Sequence, residues 1–446
     1  MIKDVKGLEA ALQERFPEHQ LQPRLDATAR AASLLGDPQN SYRIIHVTGT
    51  NGKTSTSRMI ERLLREHSLR TGRFTSPHLI KINERFAIDG ANVDDEKLVE
   101  MWNDIEPILK LVDAELEAEG EAKITYFEAL TLLAFAIFAD APVDVLVLEV
   151  GMGGLWDSTN IANADVAVFT PIDLDHTERL GSTIEEIAAT KAGIIKHDSI
   201  VVSANQPAAA KQQLIEKASE FSAPTFWYGK DFEADHLVSH AGGTGFTIRG
   251  IAGKYPELVM PLHGIHQAEN AALALAAVEA FLGAGERRIL DDIVRVAFAD
   301  ASSPGRMQVV DREPLTILDG AHNPAGAKVL AHGLEKAFAA PRAIGVIGIL
   351  AGKNVDEILV ELVGSFERVV ITKAKSDRSI AVDELATLAC KYWGEENVET
   401  ASSVVLALQK SREILTENKL DAIVVTGSLT VVGEALANIQ EQLGED

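Results

Sequence analysis

The sequence predicts a two-domain α/β protein. The first domain has a mostly parallel sheet of the phosphate-loop type with flanking helices and a small antiparallel addition, and the second is a smaller, Rossmann-like doubly wound domain. With 446 residues, the chain is longer than one hydrophobic core usually organises. Short apolar runs alternate with helical stretches, which is the pattern of a parallel sheet covered by helices. The alternation stops at a turn-rich stretch, 300–306, and then begins again.

Composition and charge exclude several classes of function. The hydrophobic fraction of 46% is that of a globular protein, and no apolar run approaches the ~20 residues that span a bilayer. A formal net charge of −24 argues against partners such as nucleic acid or an anionic membrane, because both require a positive surface. The segment 1–15 lacks the apolar middle of a secretory signal, so we expect a cytoplasmic protein. The single Cys390 is expected to be a small core residue.

The elements of the first domain, 1–299, follow from their apolar periodicity. A strand ending near residue 47 leads into a glycine-rich loop and then into a helix with its apolar side chains on one face. Further strands are expected at 143–150, 164–170 and 199–204, with helices at 125–139 and 184–195. The glycine-containing segment 227–262 predicts antiparallel strands appended to the first sheet, followed by a helix at 267–281.

A linker at 300–306 leads to the second domain, 307–446. Strands are expected at 315–318, 343–349, 368–371 and 421–425, and helices near 325–338, 355–365, 382–393 and 403–417. Three strands run directly into polar turns, at 319–323, 351–353 and 426–428. Ligands of open α/β sheets bind at the carboxyl ends of strands, so these turns are candidates for a binding site.

The glycine-rich loop predicts a site for a nucleoside triphosphate. Its sequence is Gly49-Thr50-Asn51-Gly52-Lys53-Thr54-Ser55. Glycines let the backbone N–H groups turn toward phosphates, Lys53 can reach the β and γ phosphates, and the Thr54 hydroxyl can bind magnesium. Val47 occupies the position where the common phosphate-loop pattern has glycine. An ordinary strand-to-helix turn is the alternative, but the strand before and the helix after the loop favour the triphosphate site.

The loop is the first of an ordered series of motifs. The others are Thr75-Ser76-Pro77-His78, Thr125-Tyr126-Phe127-Glu128, Glu149-Val150-Gly151-Met152-Gly153-Gly154, Asp175-His176, Lys191-Ala192-Gly193-Ile194, His263-Gly264-Ile265-His266-Gln267 with Asn270, Pro304-Gly305-Arg306, Leu318-Asp319-Gly320-Ala321-His322-Asn323-Pro324 and Thr426-Gly427-Ser428. Each motif is weak alone. Together, over residues 40–435, they resemble the folylpolyglutamate synthase and dihydrofolate synthase family, within the Mur-type amide ligases.

The resemblance implies a ligase that uses ATP to join L-glutamate to a carboxylate on a pterin-containing substrate. An amine cannot displace oxide from a carboxylate, so the γ-phosphoryl group is first transferred to form an acyl phosphate, and ADP and phosphate are released. The protein contributes positioning and electrostatics. Partners would be small-molecule substrates only, and the family implies a monomer. Whether the chain makes dihydrofolate, extends the polyglutamate tail of tetrahydrofolate, or does both stays open.

The resemblance also assigns residues to ATP, metal and catalysis. The ATP-binding residues would be Gly49, Thr50, Asn51, Gly52, Lys53, Thr54, Asn270, Arg306 and Asp319. Two magnesium ions would be held by Thr54, Ser76, Glu149 and His176, although imidazole is a less usual magnesium ligand. The catalytic residues would be Lys53, His176, Lys191, Arg306 and His322. Lys191 would carry a carbamate formed from CO2, which requires a neutral amine and therefore a lowered pKa.

Acceptor and amino-acid sites are assigned in the same way. The folate or pteroate site would contain Thr125, Tyr126, Phe127, Glu128, Trp156, Asp157 and Ser158, with aromatic rings packing on a flat heterocycle. His322 and Ser428 would face glutamate. Two positions depart from the family pattern: Leu155 stands where arginine is usual, and Gly352 stands where an acidic residue commonly precedes the lysine, here Lys353.

Two other functions compete with this interpretation. Another Mur-type ligase, acting on a cell-wall nucleotide precursor, would share the glycine loop, but the motifs at 125–128 and 319–324 favour the folate branch. A regulatory nucleotide-binding module would need only the loop and a partner surface. It gives no reason for the polar turns of the second domain.

Overall fold

The computed structural model describes residues 1–17, 22–240, 242–338 and 342–444. Two compact units are present. Unit 1 comprises Met1–Asp235, Thr247–Leu258 and Glu269–Ala299, and unit 2 comprises His236–Phe246, Val259–Ala268 and Asp300–Asp446. Both units have a boundary at 299/300, whereas the segments 236–246 and 259–268, which we had included in the first domain, group with unit 2. The assignment of domains to 1–299 and 307–446 with a linker at 300–306 stays a prediction.

Unit 1 is built on an eight-stranded sheet of order β4-β3-β2-β5-β1-β6-β7-β8. The strands are β1 (Arg43–Thr48), β2 (Thr71–Phe74), β3 (Phe86–Ile88), β4 (Ala91–Asn92), β5 (Val145–Glu149), β6 (Val166–Phe169), β7 (Ile200–Ser203) and β8 (Thr225–Trp227). All neighbours from β2 to β8 pair in parallel, and β3 and β4 add an antiparallel edge. The central strands are buried along nearly their whole length, as expected for strands covered on both faces.

Helices alternate with these strands along the chain. They are α1 (Val5–Gln13), α2 (Asp26–Leu34), α3 (Lys53–Glu66), α4 (Asp95–Glu119), α5 (Tyr126–Asp140), α6 (Thr177–Leu180), α7 (Ile184–Ala192), α8 (Ala208–Glu220), α9 (Ile265–Gly283) and α10 (Asp291–Ala299). Short 3-10 turns occur at Pro38–Asn40, Ile82–Arg85 and Ser158–Ile161. Within the described ranges, no helix combines the length and apolar character needed to cross a membrane.

The strands β9 (Glu233–His240), β10 (Gly243–Arg249) and β11 (Lys254–Met260) form a separate three-stranded sheet. Our prediction that they extend the first sheet is therefore wrong. The reason is local: β8 is only three residues long, and a tight turn follows it, in which Lys230 N and Asp231 N both donate to Trp227 O. The chain leaves the edge of the large sheet at this turn, so β9 pairs with β10 instead.

Unit 2 contains the second predicted series of strands. Its six-stranded sheet has the order β12-β13-β17-β14-β15-β16, with β12 (Gln308–Arg312), β13 (Leu315–Leu318), β14 (Ala343–Ile347), β15 (Phe366–Ile371), β16 (Val398–Thr400) and β17 (Ala422–Thr426). Only β12 is antiparallel to its neighbour. The helices are α11 (Pro324–Gly333), α12 (Val355–Leu362), α13 (Val382–Trp393), α14 (Val404–Asn418) and α15 (Leu429–Leu443). The predicted two-domain α/β class is confirmed.

Candidate active site

Four neighbouring strands of unit 1 bring the predicted nucleotide and metal residues to one edge. The order β2-β5-β1-β6 is continuous and parallel, so the four carboxyl ends lie side by side, about 4.8 Å apart. Ser76 follows β2, Glu149 ends β5, the glycine loop follows β1, and the segment 171–176 follows β6. The strand order therefore brings together residues that are more than 100 positions apart in sequence.

The glycine loop is tightly packed against its neighbours. Gly49 has φ 144°, and a Cβ atom there would lie 1.9 Å from Thr170 Oγ1. Gly52 has φ 87°, and a Cβ atom there would lie 2.8 Å from Asn270 Oδ1. The loop thus needs glycine at both positions, and it contacts Asn270, one of the predicted ATP residues. Thr50 holds the loop to the segment after β6 by accepting from Asp173 N at 3.0 Å.

Lys53 and Thr54 are the first two residues of α3, and their side chains contact the glycine loop and Glu149, respectively. Lys53 Nζ donates to the carbonyls of Gly49 and Thr50, at 3.1 and 3.2 Å, and is held over the loop. Thr54 Oγ1 donates to Glu149 Oε1 at 3.0 Å. A buried carboxylate beside a hydroxyl at a helix N-terminus is a donor set that magnesium accepts.

The other two predicted metal ligands lie on the flanking segments. Ser76 is buried after β2. His176 has φ 51°, and its Nε2 lies 3.8 Å from Asp175 Oδ2. Across the described parts of the chain, no group of three or more His, Cys, Asp or Glu side chains could hold a metal. The predicted ligand set is of a different kind, because two of its four members, Thr54 and Ser76, would bind through hydroxyl groups. Oxygen donors from three strand ends fit magnesium, and the role of His176 stays a prediction.

Lys191 is buried beneath the glycine loop. It lies in the last turn of α7 and is 3% exposed, and its Nζ donates to Gly49 O at 2.8 Å. Burial, and secondarily the positive charge of Lys53, lower the pKa of Lys191 to about 7, against the opposing effects of Asp175 and Asp157. The amine is therefore substantially neutral near physiological pH, which is the condition that we expected for carbamate formation.

Behind the metal residues, α3 presents charged side chains to the sheet. Arg58 and Glu61 lie on the same helix face as Thr54, and Arg73 of β2 lies on the sheet face that also carries Glu149, because alternate strand residues share a face. Burial lowers the pKa of Arg73 to about 9. The sequence analysis missed these residues, since a polar helix face is typical of solvent exposure rather than burial.

The predicted acceptor segment at 125–128 forms the start of α5. Thr125 caps the helix, with Glu128 N donating to its hydroxyl at 3.2 Å and Thr125 N donating to the Glu128 carboxylate at 2.7 Å. Glu128 is also paired with Arg24, whose Nε and Nη2 donate to its two oxygens at 3.1 and 3.2 Å. Arg24 was missed by the sequence analysis, because nothing local marks a partner 104 residues away.

The two aromatic rings of this segment have different neighbours. Phe127 lies 6.0 Å from Phe74 between ring centroids, and a Cβ atom at Gly151 would lie 2.4 Å from its Cζ. Phe127 therefore packs beneath the glycine-containing loop after β5. Tyr126 is half-buried and has the Arg85 guanidinium 5.8 Å from its ring centroid, so a cationic group and an aromatic face lie together here.

The loop after β5 is held by buried polar contacts. Asp157 accepts from Met152 N at 2.9 Å and from Thr159 N and Oγ1 at 3.0 and 2.5 Å. Thr159 Oγ1 also lies 2.9 Å from His46 Nε2, and burial lowers the pKa of His46 to about 3. Ser158 Oγ lies 2.7 Å from Thr131 Oγ1 on α5. Asp157 and Ser158, which the sequence analysis assigns to the folate or pteroate site, therefore hold this loop in place.

In unit 2, the predicted ATP and glutamate residues lie at the ends of β13 and β17. Asp319 accepts from Met307 N and Ala321 N, at 2.8 and 2.9 Å. Burial raises the pKa of Asp319, and the Arg306 guanidinium opposes the shift. Burial, and secondarily Arg306, lower the pKa of His266 to about 4. His266 therefore lies near Arg306. The sequence analysis includes His266 in the motif 263–267 but assigns it no role.

The two predicted glutamate residues are joined through the backbone. His322 Nδ1 lies 2.8 Å from Gly320 O, and Ser428 is the buried N-cap of α15. The turns that carry them are linked because Gly427 N donates to Ala321 O at 3.1 Å. Trp156 lies in unit 1 and is half-buried beside Gly153.

Comparison with known proteins identifies relatives along nearly the whole chain. The family model "Mur ligase middle domain" matches residues 47–278, and "Mur ligase, glutamate ligase domain" matches 305–429. A dihydrofolate synthase/folylpolyglutamate synthase of Mycobacterium tuberculosis is 40% identical, over 97% of this chain and 93% of its own length. One of Bacillus subtilis is 32% identical over 93% and 94%.

Solved structures show the same likeness. Mycobacterium tuberculosis folylpolyglutamate synthase complexed with ADP and AMPPCP has a TM-score of 0.92 and 39% identity, with 97% of each chain covered. The Escherichia coli FolC chain in complex with DHPP and ADP has a TM-score of 0.85 and 27% identity, covering 99% of each chain.

Proposed function

The chain belongs to the folylpolyglutamate and dihydrofolate synthase family of Mur ligases, and we propose that it joins L-glutamate to the carboxylate of a folate-type substrate at the expense of ATP. The observation that carries this proposal is the carboxyl edge of β2-β5-β1-β6. There the glycine loop, Lys53 and the Thr54–Glu149 pair lie together, and this arrangement supports a site for phosphoryl transfer. Complexes of the relatives with ADP, AMPPCP and DHPP support the same chemistry.

The mechanism follows from the groups at this edge. Backbone N–H groups of the loop, the N-terminus of α3 and Lys53 bind the phosphates and offset the negative charge of the protein. An acceptor carboxylate oxygen attacks the γ-phosphorus in line, and ADP leaves with the bonding electrons. The neutral glutamate amine then adds to the acyl phosphate carbon, the nitrogen loses one proton to phosphate or solvent, and phosphate leaves with the C–O bonding electrons as the amide forms. Alignment of three reactants is the main contribution of the protein.

Thr54, Ser76, Glu149 and His176 are the residues that we propose to hold two magnesium ions. When bound, magnesium supplies positive charge that stabilises the transferring phosphoryl group. The hydrogen bond from Thr54 Oγ1 to Glu149 Oε1 holds two of these oxygen atoms next to each other. In unit 2, we propose that Arg306 and Asp319 contact ATP and that His322 and Ser428 contact glutamate.

For Lys191 we propose a carbamate. The neutral Nζ attacks the carbon of CO2, and a C–N bond forms as one C=O π electron pair moves to oxygen. One proton passes from the nitrogen to solvent, so the neutral amine becomes a carbamate anion. Burial of the amine and the neighbouring charge of Lys53 support this step, because both favour the neutral form. The alternative to a carbamate is a purely structural role, in which the Lys191 amine only holds the glycine loop by donating to Gly49 O.

We further propose that the chain uses both dihydropteroate and folates that already carry glutamate. The relatives in Mycobacterium tuberculosis, Bacillus subtilis and Escherichia coli carry both activities in their names. The residues 125–128 and 156–158 would form the acceptor site, with Tyr126 offering a ring to the pterin.

Acceptor tests decide between one activity and two. Pure protein is mixed with ATP, magnesium and glutamate, and with dihydropteroate or tetrahydrofolate in parallel. We expect ADP release that requires both acceptor and glutamate, with a glutamyl product for each acceptor by mass spectrometry. Product from only one acceptor would show a monofunctional enzyme, and hydrolysis of ATP independent of acceptor would contradict ligation. Thr54→Ala is the control variant for ligation at this site, since it removes one predicted magnesium ligand and should suppress the products of both acceptors.

A further inference from the structure

The loop 372–379, which follows β15 in unit 2, concentrates positive charge. It contains Lys373, Lys375 and Arg378 and a single acidic residue, Asp377, in a chain whose net charge is −24. Both lysines are exposed, and Arg378 is half-buried. Within the ranges that the structure describes, no carboxylate oxygen lies within 4.0 Å of the charged atoms of these three cations. Their charge is therefore available to an external anion.

This basic loop is held in place by backbone contacts. Segments 349–351 and 378–380 are joined by two hydrogen bonds, from Ala351 N to Arg378 O at 2.7 Å and from Ile380 N to Ile349 O at 3.1 Å. Lys375 N donates to the Glu434 carboxylate at 2.5 Å, so this nearby acid is engaged by the backbone. A binding surface that is ordered in advance loses less entropy when it binds a ligand.

The basic loop shares its sheet edge with the proposed glutamate residues. In the order β13-β17-β14-β15, all neighbours are parallel, so His322, Ser428 and the basic loop all follow carboxyl ends at the same edge. β15 lies two strand positions from β17, which places the start of the loop about 10 Å from Ser428. An extended ligand that begins at the glutamate site can reach this distance.

We propose that the basic loop binds the poly-γ-glutamate tail of the folate substrate. This inference rests on the proposed function, in which each newly added glutamate is at His322 and Ser428 when its bond forms. Each γ-linked residue contributes one free α-carboxylate, so the residues next to the reacting end form a row of anions. Three separated cations match such a row, whereas a single glutamate has only two carboxylates. Nucleic acid is disfavoured, because the chain as a whole carries a net charge of −24.

The test compares acceptors of different tail length. KM is measured for tetrahydrofolate with one, three and five glutamates, using the full chain and the variant K373A/K375A. We expect the ratio of KM for the pentaglutamate to KM for the monoglutamate to rise about tenfold in the variant. The rise should shrink as NaCl increases toward 0.5 M, because salt screens exposed charges.

The control is K328A/K391A, which removes the same charge from exposed positions of α11 and α13 in unit 2. Its KM ratio should match that of the original chain. Equal ratios for both double variants would overturn the proposal. Calorimetric titration with γ-linked pentaglutamate, without pterin, tests tail binding by the basic loop separately from the proposed ligase function. Binding by the original chain and loss in K373A/K375A would support the loop even if no acceptor were ligated, and failure of every acceptor would count against the proposed function alone.

Discussion

Among single residues, Lys191 gives the sharpest test of the chemistry. Lys191→Ala should abolish ligation while ADP still binds, because none of the residues proposed to contact the nucleotide is Lys191, and the proposed carbamate would act on the bound reactants. At a fixed concentration of dissolved CO2, the carbamate should increase as pH rises through about 7, since only the neutral amine reacts and the pKa is lowered to about 7. Ligation should follow the same rise.

Two measurements check this prediction. Protein equilibrated with 13C-bicarbonate should show a carbamate carbon signal by NMR that is absent from Lys191→Ala, and calorimetry should show ADP binding within about threefold of the original chain. Lys211→Ala, at an exposed position of α8, is the matched control. Near-normal turnover in Lys191→Ala would remove this residue from the mechanism.

Thr159 is the second residue whose removal has a defined consequence. It is fully buried, and its hydroxyl lies between Asp157 Oδ1 and His46 Nε2. Thr159→Val keeps the shape but leaves these polar atoms with one partner fewer, which should cost about 1–3 kcal/mol of unfolding free energy. The loop that carries Met152 should loosen as a result, so KM for the acceptor should rise more than KM for ATP.

Chemical denaturation and steady-state kinetics measure these two effects. Thr387→Val, on an exposed turn of α13, makes the same chemical change and should alter stability by less than about 0.5 kcal/mol. Equal stability losses in the two variants would show that the buried hydroxyl contributes nothing special.

At the scale of secondary-structure elements, Arg24 joins the start of α2 to the start of α5. Its guanidinium makes a two-pronged pair with Glu128, with side-chain exposures of 12% and 6%, and also donates to the carbonyls of Ala122 and Lys123 at 2.7 and 2.9 Å. Arg24→Met would leave a buried carboxylate uncompensated, so we expect a loss of about 3–5 kcal/mol.

The control for this prediction is Arg30→Met, on the helix α2 that begins just after Arg24. Arg30 pairs with Glu119 of α4 through two hydrogen bonds of 3.0 Å, but on the surface. Exposed pairs contribute little to stability, so its unfolding midpoint in urea should stay close to that of the original chain. If Arg24→Met and Arg30→Met shift the midpoint equally, the Arg24–Glu128 pair does not secure α5.

Elements were predictable from sequence where burial and apolar composition coincide. The strands β5, β6, β7 and β13 were found because they are buried apolar runs, and α13 was found at its observed bounds. In contrast, β2 was missed, since Thr71-Gly72-Arg73-Phe74 has no apolar run although all four residues are buried. Its polar side chains face the charged side of α3, a contact that depends on tertiary structure. The same limit applied to β9–β11, whose pairing partner depends on a single tight turn.

Only part of the candidate site could be predicted from the sequence. The glycine loop and Glu149 could be placed at one sheet edge from the sequence, because each follows or ends a strand that was predicted to be parallel, and carboxyl ends of parallel strands meet at one edge. Arg24, His46 and Arg73 could not, because each acts through contacts between distant segments. The basic loop at 372–379 is visible in the sequence, but its fixed position beside β14 is not.

For the whole molecule, the excess of negative charge has a measurable effect on stability. With 66 Asp and Glu against 42 Lys and Arg, the folded chain repels itself more than the unfolded one. Raising NaCl from 20 to 200 mM at pH 7 screens this repulsion and also weakens exposed ion pairs. Each exposed pair contributes only about 0–1 kcal/mol, so the repulsion should dominate, and the unfolding temperature should rise by about 2 °C.

The sign of this salt effect should depend on pH. Near pH 5, close to the sequence pI of about 4.9, protonation of carboxylates and of exposed histidines brings the net charge close to zero, whereas buried His46 and His266 stay neutral because burial lowers their pKa to about 3 and about 4. The repulsive contribution then disappears while the exposed ion pairs remain, and added NaCl should leave the unfolding temperature unchanged or lower it slightly. Scanning calorimetry at both pH values, with matched ionic strengths, separates the two contributions. A fall in the unfolding temperature with NaCl at pH 7 would mean that ion pairs, such as those along α4, outweigh the net charge.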